Sequence, residues 1–120
     1  MSTEIQVSIV IVNYNTRDCT GQCLDSIRDA QLSVSYEIVV VDNASKGDDA
    51  DWLEDHYPEI RVLRSEENRG IAGGNNIGIR ASSGKYTLLL NNDTLVFPGS
   101  IEAAVTFLDQ HPDAAGVGGN

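Results

Sequence analysis

Apolar and polar positions run along this chain in blocks, and the period changes from block to block. Val7 to Val12 (Val-Ser-Ile-Val-Ile-Val) is almost wholly β-branched and predicts a buried strand. A polar break follows at Asn13-Tyr14-Asn15. Cys19, Cys23, Leu24 and Ile27 then mark the inner face of a helix, with Thr16 placed as its N-cap and Ala30 near its end. Gly21 is a mild defect within it. Tyr36 to Val41 predicts a second strand, broken at Asp42-Asn43. A helix begins among Asp48, Asp49 and Asp51, where the helix dipole favours acid, carries Trp52 and Leu53, and must stop before Pro58. Ser45 and Asp48 have the spacing of a capping box. Ile60 to Leu63 is a short third strand, Glu66 to Gly70 a loop, and Ile71 to Ala81 a helix despite Gly73, Gly74 and Gly78. Tyr86 to Leu90, a mainly apolar run bounded by polar residues, predicts a strand buried on both faces. Pro98-Gly99-Ser100 opens a helix with Ile101, Ala104, Val105 and Leu108 at helical spacing, and Ala114 to Val117 predicts a last strand.

Strands alternating with helices imply an α/β fold with a mainly parallel sheet covered on both faces, a three-layer α/β/α arrangement. Right-handed crossovers leave few topologies, and the order expected for the first four strands is 3-2-1-4. Residues 1–120 form one domain, long enough to bury a core.

Three strands end in polar clusters: Asn13-Tyr14-Asn15, Asp42-Asn43 and Asn91-Asn92-Asp93. Each alone is compatible with a turn. In a parallel sheet their carboxyl ends share one edge, which is where open α/β sheets bind ligands. Asp93 beside two amides offers oxygen ligands to a hard cation, which takes one or two protein carboxylates and completes its shell with substrate phosphates.

Charge narrows the partners. Eighteen acidic and eight basic residues give a formal net charge of −10, which argues against nucleic acid and against an anionic membrane surface. An anionic ligand would need local cations, helix N-termini or a metal. Cys19 and Cys23 lie one helical turn apart, and His56 and His111 make a zinc site conceivable. Without close Cys-x-x-Cys or His-x-x-x-His spacing, the cysteines read as two small core thiols. Nothing suggests a disulfide, so a reducing cytoplasm is the default location. No run of 18 or more apolar residues is present, so no transmembrane segment is expected.

A dinucleotide-binding unit fits Asp42, but its Gly-x-Gly-x-x-Gly fingerprint should follow the first strand, and Asn13-Tyr14-Asn15-Thr16-Arg17 stands there. A receiver domain fails likewise: it wants acids after the first strand and a phosphorylatable Asp after the third, where Arg64-Ser65 stand. Four stretches instead resemble the family 2 glycosyltransferases of GT-A fold, in their rhamnosyltransferase-like branch. They are Val-Ser-Ile-Val-Ile-Val-Asn-Tyr-Asn from Val7, Val-Val-Val-Asp-Asn-Ala-Ser from Val39, Glu-Asn-Arg-Gly-Ile-Ala-Gly-Gly-Asn-Asn-Ile-Gly from Glu67, and Gly-Lys-Tyr-Thr-Leu-Leu-Leu-Asn-Asn-Asp-Thr from Gly84.

The resemblance implies the Rossmann-like, nucleotide-binding half of a GT-A fold, and a transfer of sugar from a UDP- or dTDP-sugar to an acceptor hydroxyl with inversion. It implies that Asn13, Tyr14 and Asn15 lie by the base and ribose, and that Asp42 meets the base. Asn68, Arg69 and Gly70 would lie by the ribose and diphosphate, where backbone N–H groups at a helix start suit phosphate. Arg69 reads equally as a solvated loop charge, Gly73 and Gly74 as packing residues, and Asn75 as a cap or a ligand contact. The family's Asp-x-Asp motif falls on Asn91-Asn92-Asp93. Asp93 matches its metal ligand, a Mn²⁺ or Mg²⁺ site, while Asn91 replaces its first acid and Asn92 lies between. The acceptor would be a saccharide or lipid-linked hydroxyl in polysaccharide biosynthesis. The acceptor site and catalytic base would lie beyond Asn120, which reads the chain as truncated and the whole protein as cytoplasmic or membrane-peripheral. The competing reading is a nucleotide-binding module without transfer activity. Either way, a surface bared by truncation around Phe97 and Ala114 to Val117 predicts self-association.

Overall fold

Val7–Asn13 forms strand β1, and all seven of its residues are buried. Its β-branched side chains alternate between two apolar layers, so the strand needs cover on both faces. The computed structural model describes residues 4–114 and 116. The remaining strands are β2 (Tyr36–Asp42), β3 (Arg61–Arg64) and β4 (Tyr86–Leu90); the helices are α1 (Arg17–Ala30), α2 (Asp49–His56), α3 (Gly70–Ala81) and α4 (Ser100–Gln110). The described strands make one parallel sheet in the order β3-β2-β1-β4, as the alternating pattern predicts. Of the expected strand Ala114 to Val117, Ala114 and Gly116 lie in no regular element, and Ala115 and Val117 fall outside the described residues.

The odd positions of β1 (Val7, Ile9, Ile11) join Cys23, Leu24 and Ile27 of α1, Leu53 of α2, and Ile101 and Val105 of α4 in one core. The other face is thinner. Val12, Val39 and Val41 pack beneath α3 with Leu63, Ile77 and Ala81. Helix α3 reaches the sheet closely because it carries glycines there. A Cβ on Gly78 would come 2.3 Å from Val10 Cγ1, and one on Gly74 would come 2.9 Å from Val12 Cγ1.

Two expectations are corrected. Strand β4 is not buried on both faces. Tyr86, Leu88 and Leu90 pack on the larger core, but Thr87 and Leu89 are exposed. Among the described residues β4 is an edge strand paired only with β1, and the helix on its open side packs over β1 and β2 instead. Nor is Cys19 a core thiol: it is exposed, and only Cys23 is buried. The inward face of α1 runs through Thr20, Cys23, Leu24, Ile27 and Ala30. A buried hydroxyl at Thr20 takes the place because an amide of β1 needs it.

Candidate active site

The carboxyl edge of the sheet gathers the polar clusters that end β1, β2 and β4. Parallel register sets Asn13 beside Asp42, and Asp42 beside Arg64. Asn13 has no exposed surface. Its amide nitrogen donates to Asp42 Oδ1 at 2.9 Å, to Asp49 Oδ2 at 2.9 Å and to Ser45 Oγ at 3.3 Å. Its amide oxygen accepts from the Thr20 hydroxyl at 2.7 Å. Asn13 is therefore not itself open at the edge; it fixes the orientation of Asp42.

Asp42 is itself 6% exposed and lines a cleft of about 380 Å³ with Ser45, Asp48, Arg64 and Ser65. Its Oδ1 accepts from Ser45 Oγ at 2.6 Å as well as from Asn13, while Oδ2 takes only a long bond from the Ser45 N–H, at 3.3 Å. Oδ2 thus keeps acceptor capacity on a rigid strand end. Ser45 does not close a capping box with Asp48; α2 starts with no side-chain cap. Its hydroxyl also accepts from the Asn15 N–H at 2.9 Å, and Asn15 Oδ1 accepts from the Lys46 N–H at 2.8 Å. Asn15 holds a left-handed backbone (φ 55°), which asparagine tolerates better than most residues. Tyr14 beside it is half-buried.

The loop after β3 is held by Asn43, which the sequence placed in a polar cluster at the end of β2 without assigning it a role. Asn43 is buried; its Oδ1 accepts from the Arg69 N–H at 3.0 Å and its Nδ2 donates to the Gly70 carbonyl at 3.0 Å. Asn68 Oδ1 accepts from the Gly70 N–H at 2.8 Å, closing a tight turn, and Gly70 takes φ 72°. The only sequence signal for Asn43 was its position beside Asp42. The Arg69 side chain is exposed and faces Glu67 at 3.3 Å.

A second cleft of about 160 Å³ is lined by Asn75 of α3, by Leu89 and Leu90 of β4, and by Asn91, Asn92 and Asp93. Four residues singled out from the sequence, Asn75 and the Asn-Asn-Asp run, thus share one wall. Asn92 Nδ2 donates to Thr16 Oγ1 at 2.6 Å and to Thr20 Oγ1 at 3.2 Å. Thr16 therefore serves this loop and makes no side-chain cap on α1. Asp93 is exposed. Burial, and secondarily the nearby Asp93 carboxylate, push the Cys23 thiol up to about 11, so it is an inert core thiol.

Among the described residues, no group of three or more His, Cys, Asp or Glu side chains is placed to hold a metal ion. Asp93 with neighbouring amide oxygens is too sparse for a closed protein cage. It suits a hard cation whose shell is completed by water and phosphate oxygens. His56 and His111 stack on Trp52 and Phe107 at the carboxyl ends of α2 and α4. In a parallel α/β layout those ends point to the opposite edge of the sheet, which removes both from the cleft.

With this geometry in place, comparison with known proteins fixes the class. Residues 8–119 match the family model described as Glycosyl transferase family 2, and the chain belongs to that family. The fold is the Rossmann-like half of the GT-A type: TarS of S. aureus superposes with a TM-score of 0.77 at 22% identity over 90% of this chain and 33% of its own. Similar curated proteins include an uncharacterized glycosyltransferase of Haemophilus influenzae, 31% identical over 89% of this chain and 36% of that protein. The uncharacterized glycosyltransferase YwdF of Bacillus subtilis is 35% identical over 82% and 36% respectively. The succinoglycan biosynthesis protein ExoO of Rhizobium meliloti is 32% identical over 92% and 30%. The chain thus spans about a third of the length of these relatives. No described helix is long and apolar enough to cross a membrane.

Proposed function

We propose that this chain is the donor-binding half of an inverting glycosyltransferase that uses a UDP- or dTDP-sugar, in the rhamnosyltransferase-like branch, and acts on a saccharide or lipid-linked hydroxyl. The observation that carries the donor reading is Asp42. It is a buried carboxylate with one oxygen committed to Asn13 and Ser45 and the other under-used at the cleft wall. A carboxylate only accepts hydrogen bonds, and the ring N–H of uracil or thymine donates one. Adenine offers ring-nitrogen acceptors there, and a mispaired buried group costs about 1–3 kcal/mol. The solved TarS structures in complex with UDP and with UDP-GlcNAc support a nucleotide-sugar donor.

Within this reading Asn13 aims Asp42, while Tyr14 and Asn15 flank the base and ribose. Asn43 holds the Asn68-Arg69-Gly70 turn toward the diphosphate, and Asn75 and Asn91 line its far end. A Mn²⁺ or Mg²⁺ bound at Asp93 would neutralise the departing nucleoside diphosphate, which a chain of net charge −10 otherwise repels. A base carried by further sequence would deprotonate the acceptor for direct displacement. The whole protein then works in polysaccharide biosynthesis, as the name of ExoO supports, from the cytoplasm or a membrane's face. Because the chain covers about a third of its relatives, the second reading is a donor-binding module that transfers nothing by itself.

Calorimetry tests the donor reading. UDP and dTDP should bind tighter than ADP by about tenfold, the equivalent of 1.4 kcal/mol. Equal or tighter ADP binding would overturn it. Adding an acceptor and a labelled nucleotide sugar separates the two readings: turnover by these 120 residues would reject the inactive module.

A further inference from the structure

A chain of hydrogen bonds, buried around Asn13 and part-buried at Asn92, joins the Asp42 end of the edge to the Asp93 end, and it runs in one direction only. Asn13 Nδ2 faces two carboxylate oxygens, Asp42 Oδ1 and Asp49 Oδ2. Turning that amide round would set its oxygen against both. Asn13 Oδ1 must therefore face Thr20, and Thr20 must donate to it. A hydroxyl has one proton. Having given it to Asn13, the fully buried Thr20 can only accept, and it accepts from Asn92 Nδ2. The same nitrogen donates to Thr16. The amide hydrogens of Asn92 are spent on Thr16 and Thr20, which leaves its carbonyl oxygen as the atom offered to the cleft beside Asp93.

We propose that Thr20 is a positioning residue that fixes Asn92 as a hydrogen-bond acceptor, so that Asn92 turns its oxygen and not its nitrogen to the cleft beside Asp93, in a network shared with Asp42. That oxygen beside the Asp93 carboxylate can ligate a divalent cation or accept from the hydroxyls of a bound sugar nucleotide. The inference about the ligand rests on the donor reading above; the inference about Asn92 does not.

The test uses the full 120-residue chain with Thr20→Val, which keeps shape and removes the hydroxyl, Thr20→Ser, which keeps the hydroxyl, and Asn92→Ala. Exchange of the Asn92 side-chain amide protons, followed by NMR without ligand, should speed up about tenfold in Thr20→Val and stay near the parent rate in Thr20→Ser. Calorimetry with UDP, in Mg²⁺ or Mn²⁺ and again with chelator, should show the metal-dependent gain in affinity falling threefold to tenfold in Thr20→Val and in Asn92→Ala, with Thr20→Ser keeping it. An Asn92 amide indifferent to Thr20→Val would overturn the proposal. So would an undiminished metal-dependent gain in Asn92→Ala, even were Thr20→Val unable to fold. Should the parent chain not prefer UDP to ADP, the donor reading falls and the exchange measurement alone decides the role of Thr20.

Discussion

Two aspartates at the sheet's carboxyl edge share a charge and differ in everything else. Asp42 is enclosed and partnered on β2, so its position is set by Asn13 and Ser45. Asp93 is exposed in the loop after β4, with no core packing to lose. Replacing it should therefore separate binding from folding. Asp93→Ala should leave thermal stability within about 0.5 kcal/mol of the parent, as surface changes usually do. It should weaken nucleoside diphosphate binding in Mn²⁺ or Mg²⁺ about tenfold to a hundredfold, since a charge-assisted contact is worth roughly 1.5–3 kcal/mol, and leave binding in chelator unchanged. Asp93→Asn should match the alanine variant, and Asn91→Asp, which restores a second carboxylate, should strengthen the metal dependence. A marked loss of ligand-free stability in Asp93→Ala would instead make it a turn residue. Asp93 and Asp42 were legible in sequence because each follows an apolar run. The parts played by Asn43, whose cluster was legible, and by Thr20 were not, because an amide or a hydroxyl in a chain gives no sign of which way it faces.

At the scale of elements, the close fit of α3 on the sheet is the feature most open to a single change. The Cβ of Gly78→Ala would meet Val10, a stiff β-branched residue on the central strand, at 2.3 Å. The helix must shift outward, and the turn at its start, held by Asn43, shifts with it. Overpacking of this kind costs about 1–3 kcal/mol. Urea denaturation should show that loss, and UDP affinity should fall in the same variant. The opposite edge of the sheet is closed by Glu37, which accepts from the Ser8 hydroxyl at 2.5 Å and from the Ser83 N–H and hydroxyl at 2.8 and 2.9 Å. Burial pushes the Glu37 carboxyl up, but these hydrogen bonds outweigh it and hold it below the ordinary value of 4.5. A depressed carboxylate contributes its full stability above its unfolded pKa and loses it as the pH falls through the folded one. Melting temperature should accordingly drop below pH 4.5, and less steeply in Glu37→Gln. The slope should not vanish, because Glu59, Glu102 and Asp109 are also held low. An identical acid slope in Glu37→Gln would remove Glu37 from that account.

At the scale of the whole molecule, the sheet is covered unevenly. One face carries α1, α2 and α4, whereas α3 on the other leaves Leu89 of β4 48% exposed and Ile71 64% exposed. Leu95 and Phe97 add further bare apolar surface, Phe97 at 71%. Large contiguous apolar patches are rare on monomers, and among the described residues β4 is an edge of the sheet. The 120-residue chain should therefore self-associate as concentration rises, despite the repulsion of a net charge of −10. Sedimentation should show a rising mean mass, reduced in Leu89→Lys and Phe97→Ser; a monomer at every concentration would show that this surface tolerates water.

The sequence by itself determined the element order from β1 to α4, the parallel sheet and the order of its four strands, because period and composition are local signals and right-handed crossovers leave few ways to assemble them. It also determined which three strand ends carry polar clusters, since an apolar run that stops abruptly marks its own end. Only the tertiary structure decided which side of β4 stays open, which of two cysteines is buried, and which hydroxyl completes the network around Asn13. Those depend on the phase of each helix against the sheet and on where one proton can go. Both are settled between elements far apart in the chain: β1 and the Asn91–Asp93 loop have no relation in sequence until Thr20 stands between them.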